Sequence, residues 1–510
     1  MDILSSLALG FSVSLQPANL MYCFIGVLLG TLVGVLPGLG SAATIALLLP
    51  ITYHIPTTSA VIMLAGIWYG SMYGGSTTSI LLRLPGESAS VMTCIDGFEM
   101  AKRGRAGAAL GISAFGSFIA GTLGLIGLIF LAPPLSEFAL DFGPPEYFAL
   151  TFVGLTLVSF LGSGEWTKAL TMAAVGLLLG IVGLDPVRSH ERFTFGVLSL
   201  QSGIELIPMV MGLFGLSQVF CMLERRPPRP EEIAKTPTRL RELLPNAQDW
   251  RDSSGAILRG TLVGFFVGIL PGAGATISSY VAYAIEKRRS PHPERFGKGA
   301  IEGVAAPESA NNAATSSGFI PLLTLGLPAN VVMALMLGAF MLHGVTPGPM
   351  LLVQKPDMFW GIITSMFVGN FMLLVLNLPL IGLFTRVTRM PYRYLVPVVV
   401  VACLVGAYGV NNNAADIFVM LGFGVFGYLA EKFGYSLAPL VLAFVLGPLM
   451  ETSLRQSLII SQGDFSIFFM RPISAVLLAL GVLFVAVPLM RRTRARMLPT
   501  VELAGKAGGP

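Results

Sequence analysis

An all-α polytopic membrane protein, built from two inverted-topology repeats that each carry a re-entrant hairpin and broken helices, is the fold class this chain predicts. Three observations lead there. The composition is too apolar for a water-soluble domain, with 54% of 510 residues hydrophobic, only 12% charged and a mean hydropathy of +0.77. One fifteen-residue stretch occurs twice, at Gly26 to Gly40 and Gly260 to Gly274, with nine positions identical. Basic loops also alternate between matching places in the two halves, as copies of opposite orientation require when Lys and Arg stay cytoplasmic.

Taken in order, residues 1–25 are an N-terminal apolar segment and 26–223 the first transmembrane repeat. A polar, Pro-rich linker at 224–256 splits the halves; the second repeat occupies 257–490, and a basic tail runs over 491–510. The duplicated stretch opens each repeat. Its glycines at spacing four (Gly26, Gly30, Gly34; Gly260, Gly264, Gly268) share one helix face and permit close backbone approach. The Leu-Pro-Gly steps at Leu36 and Leu270 then break the helix. Arms of roughly 12 to 16 residues, about 18 to 24 Å as helix, fall short of a hydrocarbon core of about 30 Å, so each half is read as a re-entrant hairpin. Non-helical backbone at that depth is tolerated where it is buried or lines a cavity, so two tips near the midplane define a site.

Orientation follows from three loop comparisons. The segment after the first break, Tyr53 to Thr57, lacks Lys and Arg, whereas Glu286 to Lys298 is basic. Lys102 to Arg105 is basic where His343 to Pro349 is not; Ser136 to Tyr147 carries acids where Arg386, Arg389 and Arg393 stand. Alternation of this kind puts the basic loops and the C-terminus in the cytoplasm.

Each half has a second polar interruption: Tyr73-Gly-Gly-Ser-Thr-Thr-Ser-Ile-Leu-Leu-Arg-Leu-Pro-Gly-Glu87, and Ala306-Pro-Glu-Ser-Ala-Asn-Asn-Ala-Ala-Thr-Ser-Ser317 followed by Leu327-Pro-Ala-Asn330. Polar groups in apolar surroundings need partners. Two readings are open. The clusters are either interhelical glue, or part of an intramembrane site where helix N-termini face an anion and freed carbonyls and hydroxyls a cation. On the second reading the anion is met by Gly38, Gly40, Ser41, Gly272, Gly274 and Thr276 at the tips, and by Ser76, Thr77, Thr78, Arg83, Asn311 and Asn312. Ser79, Glu308, Ser309 and Asn330 are the cation candidates. Arg83 either holds a carboxylate in bidentate fashion or snorkels and pairs with Glu87. Glu308 is either a proton or sodium site or a helix cap beside Pro307.

Other chemistries have little support. The net charge of +5 lies in inter-helix loops, so no nucleic-acid reading is needed. Cys23, Cys94, Cys221 and Cys403 stand singly, the four His lie in predicted loops without metal spacing, and there is no Walker loop or nucleophile–base pair. No cofactor is expected beyond a coupling Na+ or H+, and no cleaved signal peptide, since the N-terminus lacks a basic n-region.

Gly26-x3-Gly-x3-Gly-x-Leu-Pro-Gly-Leu-Gly40, Tyr73-Gly-Gly-Ser-Thr-Thr-Ser79, Leu84-Pro-Gly-Glu87, Lys298-Gly-x3-Gly303 and Pro307-Glu-Ser-Ala-Asn-Asn-Ala-Ala314 together resemble the large membrane subunit of the tripartite tricarboxylate transporters. The resemblance implies a bacterial inner-membrane secondary transporter driven by a sodium or proton gradient. It also implies a small four-helix membrane subunit and a periplasmic binding protein that delivers citrate or another carboxylate. Arg83 stands where an Asn is common in that family, which bears on substrate charge or the number of coupling cations. The alternatives from other classes are an anion channel and a membrane-embedded enzyme with the same polar site; a homo-oligomer is compatible with each. The site-bearing elements are expected to move against a scaffold of the longer spans after residues 106 and 358.

Overall fold

The computed structural model describes residues 2–36, 39–161, 165–185, 189–224, 240–272, 274–387 and 392–497. The first half contains α1 (Ile3–Ser14), α2 (Pro17–Gly34), α3 (Gly40–Thr52), α4 (Thr57–Leu82), α5 (Val91–Lys102), α6 (Ala106–Ala139), α7 (Pro144–Leu161) and α8 (Trp166–Gly180). A two-residue antiparallel pair, β1 (Gly183–Leu184) and β2 (Glu191–Arg192), precedes α9 (Leu206–Glu224). The second half contains α10 (Leu240–Leu243), α11 (Ala247–Ile269), α12 (Gly274–Arg289), α13 (Glu302–Ser317), α14 (Phe319–Leu325), α15 (Val331–Leu342) and α16 (Leu351–Gln354). It ends with α17 (Pro356–Val387), α18 (Tyr392–Asn411), α19 (Ala414–Lys432), α20 (Ala438–Ile460), α21 (Ile467–Met470) and α22 (Pro472–Met497).

The chain is a multi-pass membrane protein. Among the described residues seven helices are long and apolar enough to cross a bilayer: α2, α6, α9, α18, α19, α20 and most of α17. Large apolar side chains such as Phe130, Phe266 and Phe418 face outward, 62%, 64% and 73% exposed, while Ser, Thr and Asn residues such as Ser76, Thr78 and Asn311 are buried among the apolar side chains of the interior. That is the polarity a lipid solvent selects.

The duplicated glycines build two duplicated seams. A Cβ added to Gly26, Gly30 or Gly34 of α2 would sit 2.2, 2.3 and 2.2 Å from the carbonyl oxygens of Met63, Ile67 and Ser71 on α4. In the second half Gly260 and Gly264 of α11 lie as closely on Ala306 and Ala310 of α13 (2.3 and 2.1 Å from their oxygens), and Gly268 on Ala314. Only glycine allows backbones this near, and the contact area so gained replaces the hydrophobic drive that lipid does not supply.

Each seam helix ends at a break, and a second helix returns: α2 to α3, and α11 to α12. The outgoing arms are longer than the sequence suggests, with 18 and 23 residues. Pro17 at the first turn starts α2 early. In α11, Asn246 and Asp249 form a capping box that begins the helix at Ala247, inside the stretch expected to be linker. Arg259 clamps the open end of the second hairpin, donating from Nε and Nη2 to Glu286 at 2.8 and 2.6 Å.

The polar clusters do not interrupt their helices. Tyr73 to Leu82 lies inside the continuous α4, and Ala306 to Ser317 inside α13. The hydroxyls return hydrogen bonds to their own helix, Ser76 to Met72 O (3.0 Å) and Thr315 to Asn311 O (2.9 Å), so they are satisfied without unwinding. The breaks come later, from Arg83 (φ +58°) to Glu87 and from Gly326 (φ +71°) to Asn330.

Asp96 on α5 ties the halves together. Its carboxylate accepts from Tyr283 Oη and from the backbone N–H groups of Gly297, Gly299 and Ala300, all at 2.8 to 2.9 Å. Asp96→Ala removes the acceptor of three N–H donors, of which that of Ala300 is buried, and of the Tyr283 hydroxyl, and is expected to cost about 3 kcal/mol. The check is the midpoint of thermal unfolding in detergent, where Asp96→Asn should lose less; an unchanged midpoint for Ala would show the lock contributes little.

Candidate functional site

The two hairpin breaks meet at a cavity of about 530 Å³. Each break turns through glycine in the left-handed region: Gly40 (φ +57°) on one side, Gly272 (φ +80°) and Gly274 (φ +54°) on the other. The cavity walls include the first turns of four helices: α3 (Gly40, Ser41), α12 (Gly274 to Ile277), α15 (Val331, Val332) and α20 (Ala438, Pro439). Each helix start carries unsatisfied N–H groups and about half a positive charge, so the convergence favours an anion. Among the described lining residues there is no Lys or Arg. Polar side chains come from Ser41, Glu87, Ser88, Gln218, Thr276 and Asn330, beside apolar ones that include Trp68, Met72 and Phe214. Ser88 Oγ and Thr276 Oγ1 share a 2.8 Å hydrogen bond across the two halves.

The loops behind the tips are matched. Leu84-Pro-Gly-Glu87 lies behind the start of α3 and Leu327-Pro-Ala-Asn330 behind the start of α12. Gly86 is wedged between α2 and α4, where a Cβ would lie 2.0 Å from Gly34 O. At the equivalent place in the second half, Ala329 O accepts the Gly272 N–H at 2.7 Å. Ser41 N–H donates to Glu87 Oε1 at 2.5 Å. Asn330 Oδ1 instead accepts from Met333 N–H at 3.0 Å, capping α15, with its side chain beside Gly274.

The residues expected at a site divide into groups. Gly40, Ser41, Gly272, Gly274, Thr276 and Asn330 line the cavity. Gly38 lies outside the described residues. Ser76, Thr77, Thr78, Asn311 and Asn312 do not line it; they are buried between helices. Asn312 Nδ2 donates to Ser117 Oγ (2.7 Å) and Glu308 O (3.0 Å). Asn311 is fully buried, and both polar atoms of its amide lack a hydrogen-bond partner among the described residues. Arg83 is also away from the cavity, exposed, with its guanidinium 5.9 Å from the centre of the Phe98 ring.

The cation candidates do not converge either. Glu308 is fully buried on α13 and accepts from Ser76 Oγ at 2.5 Å and from Thr93 Oγ1. Ser79 is engaged with Ser90 (2.9 Å), Ser309 donates to Gly116 O (3.4 Å), and Asn330 is at the cavity. Among the described residues there is no group of three His, Cys, Asp or Glu able to hold a metal ion. Sequence reasoning left Glu87 without a role at the tips, although setting Leu84 to Glu87 beside Leu327 to Asn330 pairs it with Asn330. Gln218 and the start of α20 carry no comparable local signal, because they come from distant helices brought in by packing.

An uncharacterised 52.8 kDa protein of Agrobacterium vitis, from the TAR-I ttuC′ 3′ region, is 50% identical over 496 residues, 97% of this chain and 98% of that protein. A second A. vitis protein, from the TAR-II ttuC′ 3′ region, is 50% identical over 233 residues, 46% of this chain and 96% of that protein. No solved structure matches. The sequence profile of the tripartite tricarboxylate transporter TctA family matches residues 20–442, and the chain belongs to that family.

Proposed function

We propose that this chain is the substrate-carrying subunit of a secondary active transporter that imports a tricarboxylate or related carboxylate by symport with Na+ or H+. The observation that supports it most directly is the meeting of four helix N-termini at one cavity that has no basic side chain among its described lining residues. A carboxylate held by fixed dipoles and hydroxyls can be released again, whereas an arginine pair would hold it tightly. Membership of a tripartite transporter family supports partner subunits, and on this reading they are a small four-helix membrane subunit and a periplasmic binding protein that hands over the substrate at the bacterial inner membrane. Loop charges favour inverted halves with the basic loops and the C-terminus in the cytoplasm.

The coupling cation on this reading sits at Glu308. A fully buried carboxylate with only hydroxyl partners favours a cation beside it, and Asn311, one turn on along the same helix face, brings an unused amide oxygen. The test is uptake of labelled citrate and smaller carboxylates into proteoliposomes containing the partner subunits, with and without an inward Na+ or H+ gradient. Thr276→Val and Asn330→Ala, each removing one polar contact, are expected to raise the apparent KM about tenfold, about 1.4 kcal/mol. Uptake unchanged in both would move the substrate elsewhere. Flux under voltage alone, without either gradient, would replace the symporter with a channel.

A further inference from the structure

The two tips place a side chain at matching positions, and the two side chains differ in charge and in the N–H they accept from. Behind the start of α3 stands the carboxylate of Glu87, with Oε2 3.6 Å from where a Gly40 Cβ would be; behind the start of α12 stands the neutral amide of Asn330, with Nδ2 3.9 Å from where a Gly274 Cβ would be. Ser41 N–H, the donor an incoming carboxylate would use at α3, is already taken by Glu87. Glu87 is also the one charged side chain among the described residues that line the cavity. An ionised Glu87 therefore offsets the helix end that an anionic substrate needs, and it repels that substrate across a shared apolar cavity.

The groups that face Glu87 offer no cation. Ser41 on α3 and Ser71 on α4 bring hydroxyls, and across the cavity stand Thr276, Asn330 and Gln218. The charged groups on the surrounding elements are directed elsewhere. Arg83 lies against Phe98, Glu308 is held by Ser76 and Thr93, and Asp96 by Tyr283 and three N–H groups. Glu286 is held by Arg259, Glu431 accepts from Gln218, and the Tyr73 hydroxyl donates to Asn370. Ser41 N–H already occupies Glu87 Oε1, and no second carboxylate lines the cavity among the described residues, which leaves a metal ion few anionic oxygens.

Resting on the carboxylate-transport reading, we propose that Glu87 is the proton-carrying group of the substrate cavity. The anion binds when Glu87 is protonated, which makes the two tips electrically equivalent. One proton, held as the O–H of the Glu87 carboxyl, enters with each anion and leaves when the anion departs; nothing is oxidised or reduced. Glu87→Gln reproduces the neutral form in shape and keeps an oxygen for the Ser41 N–H.

The experiment is citrate binding to the purified full-length chain, from mildly acidic to mildly basic pH at fixed Na+, for wild type, Glu87→Gln and Asn330→Asp. Citrate's own titration is common to all three and cancels in the ratio of their affinities. The wild-type Kd relative to that of Glu87→Gln should rise by about tenfold per pH unit once Glu87 ionises. Asn330→Asp, which adds a second carboxyl at the matching place, should steepen the wild-type dependence towards about a hundredfold per unit. A dye-based count should find about one more proton taken up per citrate by wild type than by Glu87→Gln.

Equal pH profiles for wild type and Glu87→Gln would overturn the assignment. So would an affinity that depends on Na+, is flat with pH and is lost in Glu87→Gln, since that places a metal cation at the carboxylate. If Glu87→Gln does not fold, the Asn330→Asp slope and the wild-type proton count decide alone. If wild type binds neither citrate nor the smaller carboxylates at any pH, both this inference and the function it rests on fail.

Discussion

Gly264→Leu is expected to yield a protein that no longer assembles its second half. A Cβ at this position would lie 2.1 Å from Ala310 O, and the contact is backbone, which cannot move aside as a side-chain tip does. The substitution must therefore push α11 and α13 apart. Overpacking of this kind costs about 3 kcal/mol, and the shift also carries Glu308 away from Ser76 and Thr93. Gly30→Leu, 2.3 Å from Ile67 O in the matching seam, should act alike. Gly422→Leu on α19 is the control, because nothing stands within 4 Å of it, and it should change stability by less than about 0.5 kcal/mol. Unfolding midpoints in detergent and citrate uptake would be compared; seam variants that match the control on both counts would remove the seams from the argument.

Glu308 should show the second large effect. Glu308→Ala takes the carboxylate acceptor from the Thr93 hydroxyl and the shorter of two acceptors from Ser76, which falls back on Met72 O, and loss of these two hydrogen bonds in a fully buried place is expected to destabilise by about 3 kcal/mol. Glu308→Gln keeps the shape and an acceptor oxygen, so it should fold. If Glu308 holds the coupling cation, this variant loses at least about tenfold in gradient-driven accumulation while citrate exchange between the two sides of the membrane continues. Gradient-driven accumulation equal to wild type in Glu308→Gln would return the residue to a packing role, and the cation would then have to be sought at the cavity itself.

Much of the architecture is legible in one dimension. Small-residue spacing and a Pro-Gly step are local signals, and they act locally: the glycines meet a neighbouring backbone within the same half, and the helices break at Leu36 and Leu270. The polar clusters misled for a related reason. Hydroxyls and amides resemble a broken helix when judged by polarity alone, but Ser76 and Thr315 bond back one turn, and the helix absorbs them. Charge was ambiguous too. Arg83 and Glu87 are four residues apart, a spacing that leaves open a substrate contact, snorkelling or a pair; the left-handed turn at Arg83 sends one toward Phe98 and the other toward Ser41.

The sequence by itself determined the solvent this protein folds in, the duplication, both hairpin breaks and the family, because composition, periodicity and short motifs are carried by neighbouring residues. Only the tertiary structure decided which polar groups meet. Ser41, Thr276, Asn330 and the start of α20 line one cavity because four helices from distant parts of the chain begin there, whereas Asn312 and Ser309 are spent on α6. Whether a buried polar residue serves a ligand or a neighbouring helix depends on the partner within about 3 Å, and that partner is chosen by packing between segments up to several hundred residues apart.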